Sequence, residues 1–242
     1  MQKKFISLLL VAFLLVGLLA ACGSGDKGGT LVVGVTEMSG NFNPAYYSSA
    51  YDGHVVDLVF QSLIKKDKDD NWVPDAAKDW ELQENGKTIV FELKEDLVFS
   101  DGEPLTAEDV KFTYMLLSDP SYTGRYGSVA QDLVGYDEYV NGETDEFKGV
   151  ETDGDYKVIF HFKEALRVNL KNCAFAIMPK HYYGADFEPG NTEPVAAITT
   201  TPVGSGPYVL DKYEEQQFAS LKKNPKYKGE GYKVENIECK FV

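Results

Sequence analysis

Lys87-Thr88-Ile89-Val90-Phe91-Glu92-Leu93-Lys94 runs on, after a short link, to Phe99-Ser100-Asp101-Gly102-Glu103-Pro104-Leu105-Thr106-Ala107-Glu108-Asp109-Val110. Ile89, Phe91 and Leu93 alternate with Val90, Glu92 and Lys94, the period-two pattern of a strand with one buried face. Asp101-Gly102 is a turn dipeptide. Thr106 then stands at an N-cap position with Asp109 three residues on, and Glu108 and Asp109 both favour the positive end of a helix. The spacing predicts a helix from there to about Leu117, stopping before Pro120. The chain therefore uses both kinds of regular element.

Working outward, Leu31 to Val35 is a short apolar run after glycines and reads as a buried strand. Asn41-Phe42-Asn43-Pro44 is a loop, because the residue before proline avoids the helical region. Ser48 or Ser49 can cap a helix running to about Leu63, with Val55, Val56, Val59 and Leu63 toward the core and His54, Asp57 and Gln61 on the other face. Asp67 to Asn71 is a polar turn. Lys157 to Lys163 alternates, with Val158, Phe160 and Phe162 on one face and His161 pointing away from it. Gly204-Ser205-Gly206-Pro207 is a tight loop leading into a strand, and a last strand covers about Ile237 to Val242.

The N-terminus has a separate logic. Lys3 and Lys4 precede an uncharged apolar stretch, Phe5 to Ala21, that ends in Leu19-Ala20-Ala21-Cys22. A charged start, an apolar middle and small residues before a cut are the parts of a signal peptide. Here they resemble a bacterial lipoprotein signal, cut before Cys22 with lipid on that cysteine. A membrane-spanning helix would need about 20 apolar residues. Two acyl chains suffice for stable anchoring. Residues 22–29 are glycine-rich and read as a flexible tether. Residues 1–21 hold two of the 24 basic residues and none of the 38 acidic ones, so removing them takes the net charge from −14 to −16. Such a surface repels phosphate backbones and argues against nucleic-acid partners and against a polybasic membrane patch. Cys173 and Cys239 are far apart in sequence and are expected to be buried free thiols.

Motifs for chemistry are sparse. The three histidines have no companion at zinc spacing, and there is no Cys-x-x-Cys, so no metal site and no cofactor are expected. Asp67, Asp69 and Asn71 mimic the start of a calcium loop, which fails at Trp72 and Lys78. Gly204-Ser205-Gly206 is no nucleophile elbow, and Pro207 lacks an N–H that an oxyanion hole would use. Tyr46, Tyr47 and Tyr51 crowd the first helix start, while Tyr122 and Tyr126 lie in a loop. Packing and ligand contact suit them equally well.

From Thr30 to Val242 the ordered blocks resemble the extracellular solute-binding proteins of family 5, receptors of oligopeptide, dipeptide and nickel ABC importers. The blocks are Asn43-Pro44, Phe60-Gln61-Ser62-Leu63, Val73-Pro74-Asp75-Ala76-Ala77-Lys78-Asp79-Trp80 and the opening stretch. They continue with Gly149-Val150, Ile177-Met178-Pro179-Lys180-His181, Pro202-Val203-Gly204-Ser205-Gly206-Pro207-Tyr208 and Lys223-Asn224-Pro225-Lys226-Tyr227. The resemblance implies a mixed α/β, type II periplasmic-binding-protein-like first lobe. Residues 30–64 and 196–242 would form it, with an inserted subdomain at 65–195 and the second lobe missing. In peptide-binding relatives the segment before the first helix offers backbone groups to an extended peptide, here Ser48-Ser49-Ala50-Tyr51. A loop tyrosine, here Tyr126, also reaches the ligand.

The implied protein is a monomeric, lipid-anchored receptor on the outer face of the cytoplasmic membrane of a Gram-positive cell. It would deliver peptide or another small solute to permease subunits, without chemistry. Family members are longer, so the chain reads as their N-terminal part, with unpaired strand edges and exposed apolar surface. A non-binding remnant or stand-alone interaction module is the alternative, with a secreted hydrolase behind it.

Overall fold

The computed structural model describes residues 29–229 and 232–242. The opening stretch folds as its pattern predicts. Strand β5 (Thr88–Leu93) buries Ile89, Phe91 and Leu93. It lies between β4 (Ala77–Gln83) and β7 (Lys157–His161), and β6 (Val150–Thr152) closes the order β4-β5-β7-β6, antiparallel throughout. The second helix of the chain, α2 (Ala107–Leu117), lies on β6 and β7. Its Tyr114 ring meets Phe160 edge-on at 4.8 Å, and Phe160 meets Phe91 at 5.7 Å. Edge-to-face pairs of this kind add to the area they bury.

The start of α2 is held by a capping box. Thr106 donates its N–H (2.8 Å) and its hydroxyl (3.0 Å) to the Asp109 carboxylate, which also accepts the Lys180 N–H at 2.8 Å. The helix ends at Leu117, with Ser118 as its C-cap.

A second four-stranded sheet draws on both ends of the chain. Its order is β1-β10-β9-β8, from β1 (Thr30–Val35), β8 (Tyr208–Glu214), β9 (Phe218–Lys223) and β10 (Asn236–Phe241). β1 pairs with β10 in parallel and the other pairs are antiparallel. Helix α1 (Ala50–Val59) packs on β8. A hairpin of β2 (Ile64–Lys66) and β3 (Trp72–Pro74) stands apart. Asp67 in its turn accepts the N–H groups of Asp69 and Asn71, both at 2.8 Å, so the acidic run is a hairpin turn. Cys173 and Cys239 are buried free thiols, as expected.

Two expectations are corrected. β1 is not a buried strand: only Val35 is buried, because β1 sits at a sheet edge and its apolar side chains find no covering layer among the described residues. The first helix stops at Val59 rather than Leu63, with Phe60 already extended (φ −111°, ψ 149°). The competitor is the Gly204-Ser205-Gly206-Pro207 loop. The Gly206 N–H donates to the Val59 carbonyl at 2.7 Å, and a Cβ on Gly204 would stand 2.2 Å from that same oxygen. Glycine is needed for this approach, and the loop caps the helix end. Gln61 therefore lies beyond the helix and is buried, its amide donating to Asp75 at 3.2 Å. Leu63 still reaches the core, but from irregular chain.

Candidate functional site

The loop before α1 is fixed at two points. Asn43 is fully buried, and its amide donates to the carbonyls of Val195 (2.8 Å) and Ile198 (3.0 Å) while its oxygen accepts the Ala45 N–H (3.0 Å). Asp52, buried in the first turn of α1, accepts the N–H groups of Ser39 and Gly40 at 3.1 Å and also the Ser39 hydroxyl. These bonds satisfy a carboxylate that could not otherwise stay buried. Together the two anchors pin the chain from residue 39 to residue 52.

The predicted segment lies on this frame. Ser49 is the N-cap of α1: its hydroxyl accepts the Tyr51 N–H at 3.2 Å and donates to the Glu37 carbonyl at 3.3 Å. Ala50 and Tyr51 thus belong to the first helical turn rather than to an extended run before it, because the Ser49 cap sets the start there. The Tyr51 hydroxyl accepts from Thr36 at 2.9 Å. Ser48 and Ala50 are exposed.

Tyr126 comes from the loop after α2 and meets this frame through a ring cluster. Its ring lies 5.4 Å from Tyr47 and 5.2 Å from Phe175. Tyr122 donates to the Ala45 carbonyl at 2.5 Å, which ties that loop to the one before α1. Gly124 makes room, since a Cβ there would meet the Tyr122 hydroxyl at 2.2 Å. The structure brings Ser48 and Tyr126 together through one residue that the motif reading missed, Arg125. It donates to the Ser48 carbonyl (3.3 Å) and to the Tyr126 hydroxyl (2.6 Å). Its guanidinium lies 5.0 Å from the Tyr47 ring and 4.8 Å from the Tyr126 ring. Burial pushes the Tyr126 phenol well above its usual value, so it stays neutral. One signal could have found Arg125: it is one of only two arginines in a lysine-rich chain.

Cys22 lies outside the described residues. Among the described residues no group of three His, Cys, Asp or Glu could hold a metal ion, and no helix is long and apolar enough to cross a membrane. A recess of about 130 Å³ under the C-terminal end of α1, lined by Asp57, Gln61, Lys65, Asp75, Tyr227 and Tyr232 among others, contains none of the predicted contact residues.

One sheet joining the first described strand to the last, and a second sheet drawn from the chain between them, give a mixed α/β fold. The model of the bacterial extracellular solute-binding proteins, family 5 Middle, matches residues 71–242, and the chain belongs to that family. That range includes Tyr126 and Arg125, while Ser48–Tyr51 precede it.

The chain is 29% identical over 213 residues to the oligopeptide-binding protein AppA of Bacillus subtilis, covering 86% of this chain and 36% of that relative. Among solved structures it resembles AppA from Bacillus subtilis in complex with a nonapeptide (TM-score 0.76, 27% identity, 89% of this chain and 40% of that one). The substrate-binding domain of an oligopeptide ABC transporter from Bacillus anthracis shares the fold (TM-score 0.78, 21% identity, 89% and 42%). The chain spans 36–38% of the length of the curated relatives it matches first. The fold is thus the mixed α/β fold of solute-binding proteins, and the family is one of transport proteins rather than a class of enzymes.

Proposed function

We propose that this chain carries one wall of the ligand cleft of an ABC-importer receptor for oligopeptides, which binds and hands over its ligand without chemistry. The observation that carries the reading is the pinned segment at Ser48–Tyr51 with Tyr126 drawn up to it. Likeness to an oligopeptide-binding relative supports it. On this reading residues 30–64 and 196–242 form the first lobe and 65–195 the inserted subdomain. The way β1 and β8–β10 share one sheet while β4–β7 share another supports that division. Cys22 carries the lipid that holds the protein, as a monomer, outside the membrane beside its permease.

One wall buries less of a ligand than two, so binding by this chain alone is weak. The test is an NMR titration of the purified chain with an alanine-based nonapeptide to millimolar concentration. Amide shifts centred on Ser48–Tyr51, together with shifts of the Tyr126 ring, are expected. No shifts, or shifts confined to other surfaces, would overturn the reading in favour of a stand-alone interaction module.

A further inference from the structure

We infer that Arg125 is the anchor for a ligand carboxylate beside the Ser48–Tyr51 segment. The inference rests on the peptide reading above and adds to it the chemical group that the site selects.

Arg125 is exposed, yet its plane is held. The guanidinium rests against the neighbouring rings of Tyr47 and Tyr126, and two of its donors are bound by the Ser48 carbonyl and the Tyr126 hydroxyl. A guanidinium has five N–H donors in a fixed fork, so those two bonds leave others free in a set orientation. Among the described residues no carboxylate forms an ion pair with it, although the chain carries 38 acidic residues. The choice of residue fits the task. Twenty-two of the 24 basic residues are lysine, and an arginine stands where a planar group rests against two neighbouring rings and can present paired donors. Lysine offers neither the stacking plane nor the fork.

The surrounding charge sharpens the effect. A protein with a net charge of −14 repels an incoming carboxylate over most of its surface. An unpaired cation on an aromatic platform sets where that group settles. The carboxylate can be the peptide's C-terminus or an acidic side chain, since both present the same pair of oxygens.

Three alanine-based nonapeptides separate these cases in NMR titrations of the purified chain: a free acid, its C-terminal amide, and the amide with a central glutamate. The expected result is about tenfold tighter binding of a carboxylate-bearing peptide than of the plain amide, and loss of that preference in Arg125→Gln. Preference for the free acid assigns the C-terminus, and preference for the glutamate peptide assigns a side chain. An unchanged amide spectrum away from residues 45–51 and 122–127 shows that the variant is folded. Equal binding of all three peptides by the native chain overturns the inference and leaves the peptide reading standing. So does an Arg125→Gln variant that weakens all three by the same factor, since Arg125 would then only position Ser48. Absence of binding by any of the three overturns the peptide reading, and this inference with it.

Discussion

In the sheet β4-β5-β7-β6, the side chains of Ile89, Phe91, Leu93, Val158 and Phe160 are at most 2% exposed. In the sheet β1-β10-β9-β8, Leu31, Val32 and Val33 are 48%, 55% and 38% exposed. The exposed β1 has no charged residue while the buried β5 carries Glu92, so it is their surroundings that differ in the deciding way. The central strand β5 has a strand on either side, and α2 lies against the neighbouring β6 and β7. β1 is an edge strand, and α1 packs at the opposite edge on β8. An apolar run therefore marks the capacity to be buried, while the neighbours decide whether burial happens.

The sharpest way to break this contrast is Phe160→Ala. The ring contacts Phe91 and Tyr114 edge-on and stacks near Phe162. Its loss should cost about 3–5 kcal/mol, read from denaturant unfolding. A cost below about 1 kcal/mol would show that the covered sheet collapses around the gap as easily as an exposed one.

A smaller effect comes from the clamp beside that sheet. Lys180 donates to Glu108 at 2.9 Å and Thr152 donates at 3.0 Å. The Lys180 bond, opposed by partial burial, lowers the Glu108 carboxyl from its ordinary 4.5. A depressed carboxyl stabilises the fold above its unfolded pKa and loses that contribution as pH falls through the folded one. The melting temperature of Glu108→Gln should thus lie below that of the native chain at neutral pH, with the gap closing as pH falls below 4.5. A gap that persists in acid would mean that the carboxylate charge is not what holds α2 to the residues around it.

The smallest expected change in stability is that of Val32→Lys, within about 0.5 kcal/mol, because the side chain already faces water. Its effect should instead appear in light scattering, as reduced self-association. Lysine on an edge strand blocks strand addition by another chain. A large loss of stability would show that β1 is covered after all.

What could be read in advance follows the range of the interactions involved. The strand β5 and the start of α2 were legible because alternation and capping are local, complete within a few residues of Ile89 and Thr106. The hairpin turn at Asp67 was legible for the same reason. The end of α1 was not, since the donor that replaces its next turn, the Gly206 N–H, arrives from a distant part of the chain. Exposure of β1 was equally hidden, being a property of what lies over it. The candidate site was legible in half: Tyr47 and Tyr126 could be singled out as loop aromatics. Arg125 gains its meaning only when both rings and the Ser48 carbonyl come together around it.

The pairing of β1 with β10 runs in register from Thr30 with Asn236 to Val35 with Phe241. It joins the first described strand to the last, with nearly the whole described chain between them. Contacts so remote in sequence raise the contact order and slow folding, because the intervening loop must close before the pairing gives anything back. A growing chain would expose Leu31, Val32 and Val33 early and leave them without this partner until Asn236–Phe241 has been made. The interval between the making of β1 and the making of β10 is thus one in which an apolar edge strand stands open to pairing with other chains.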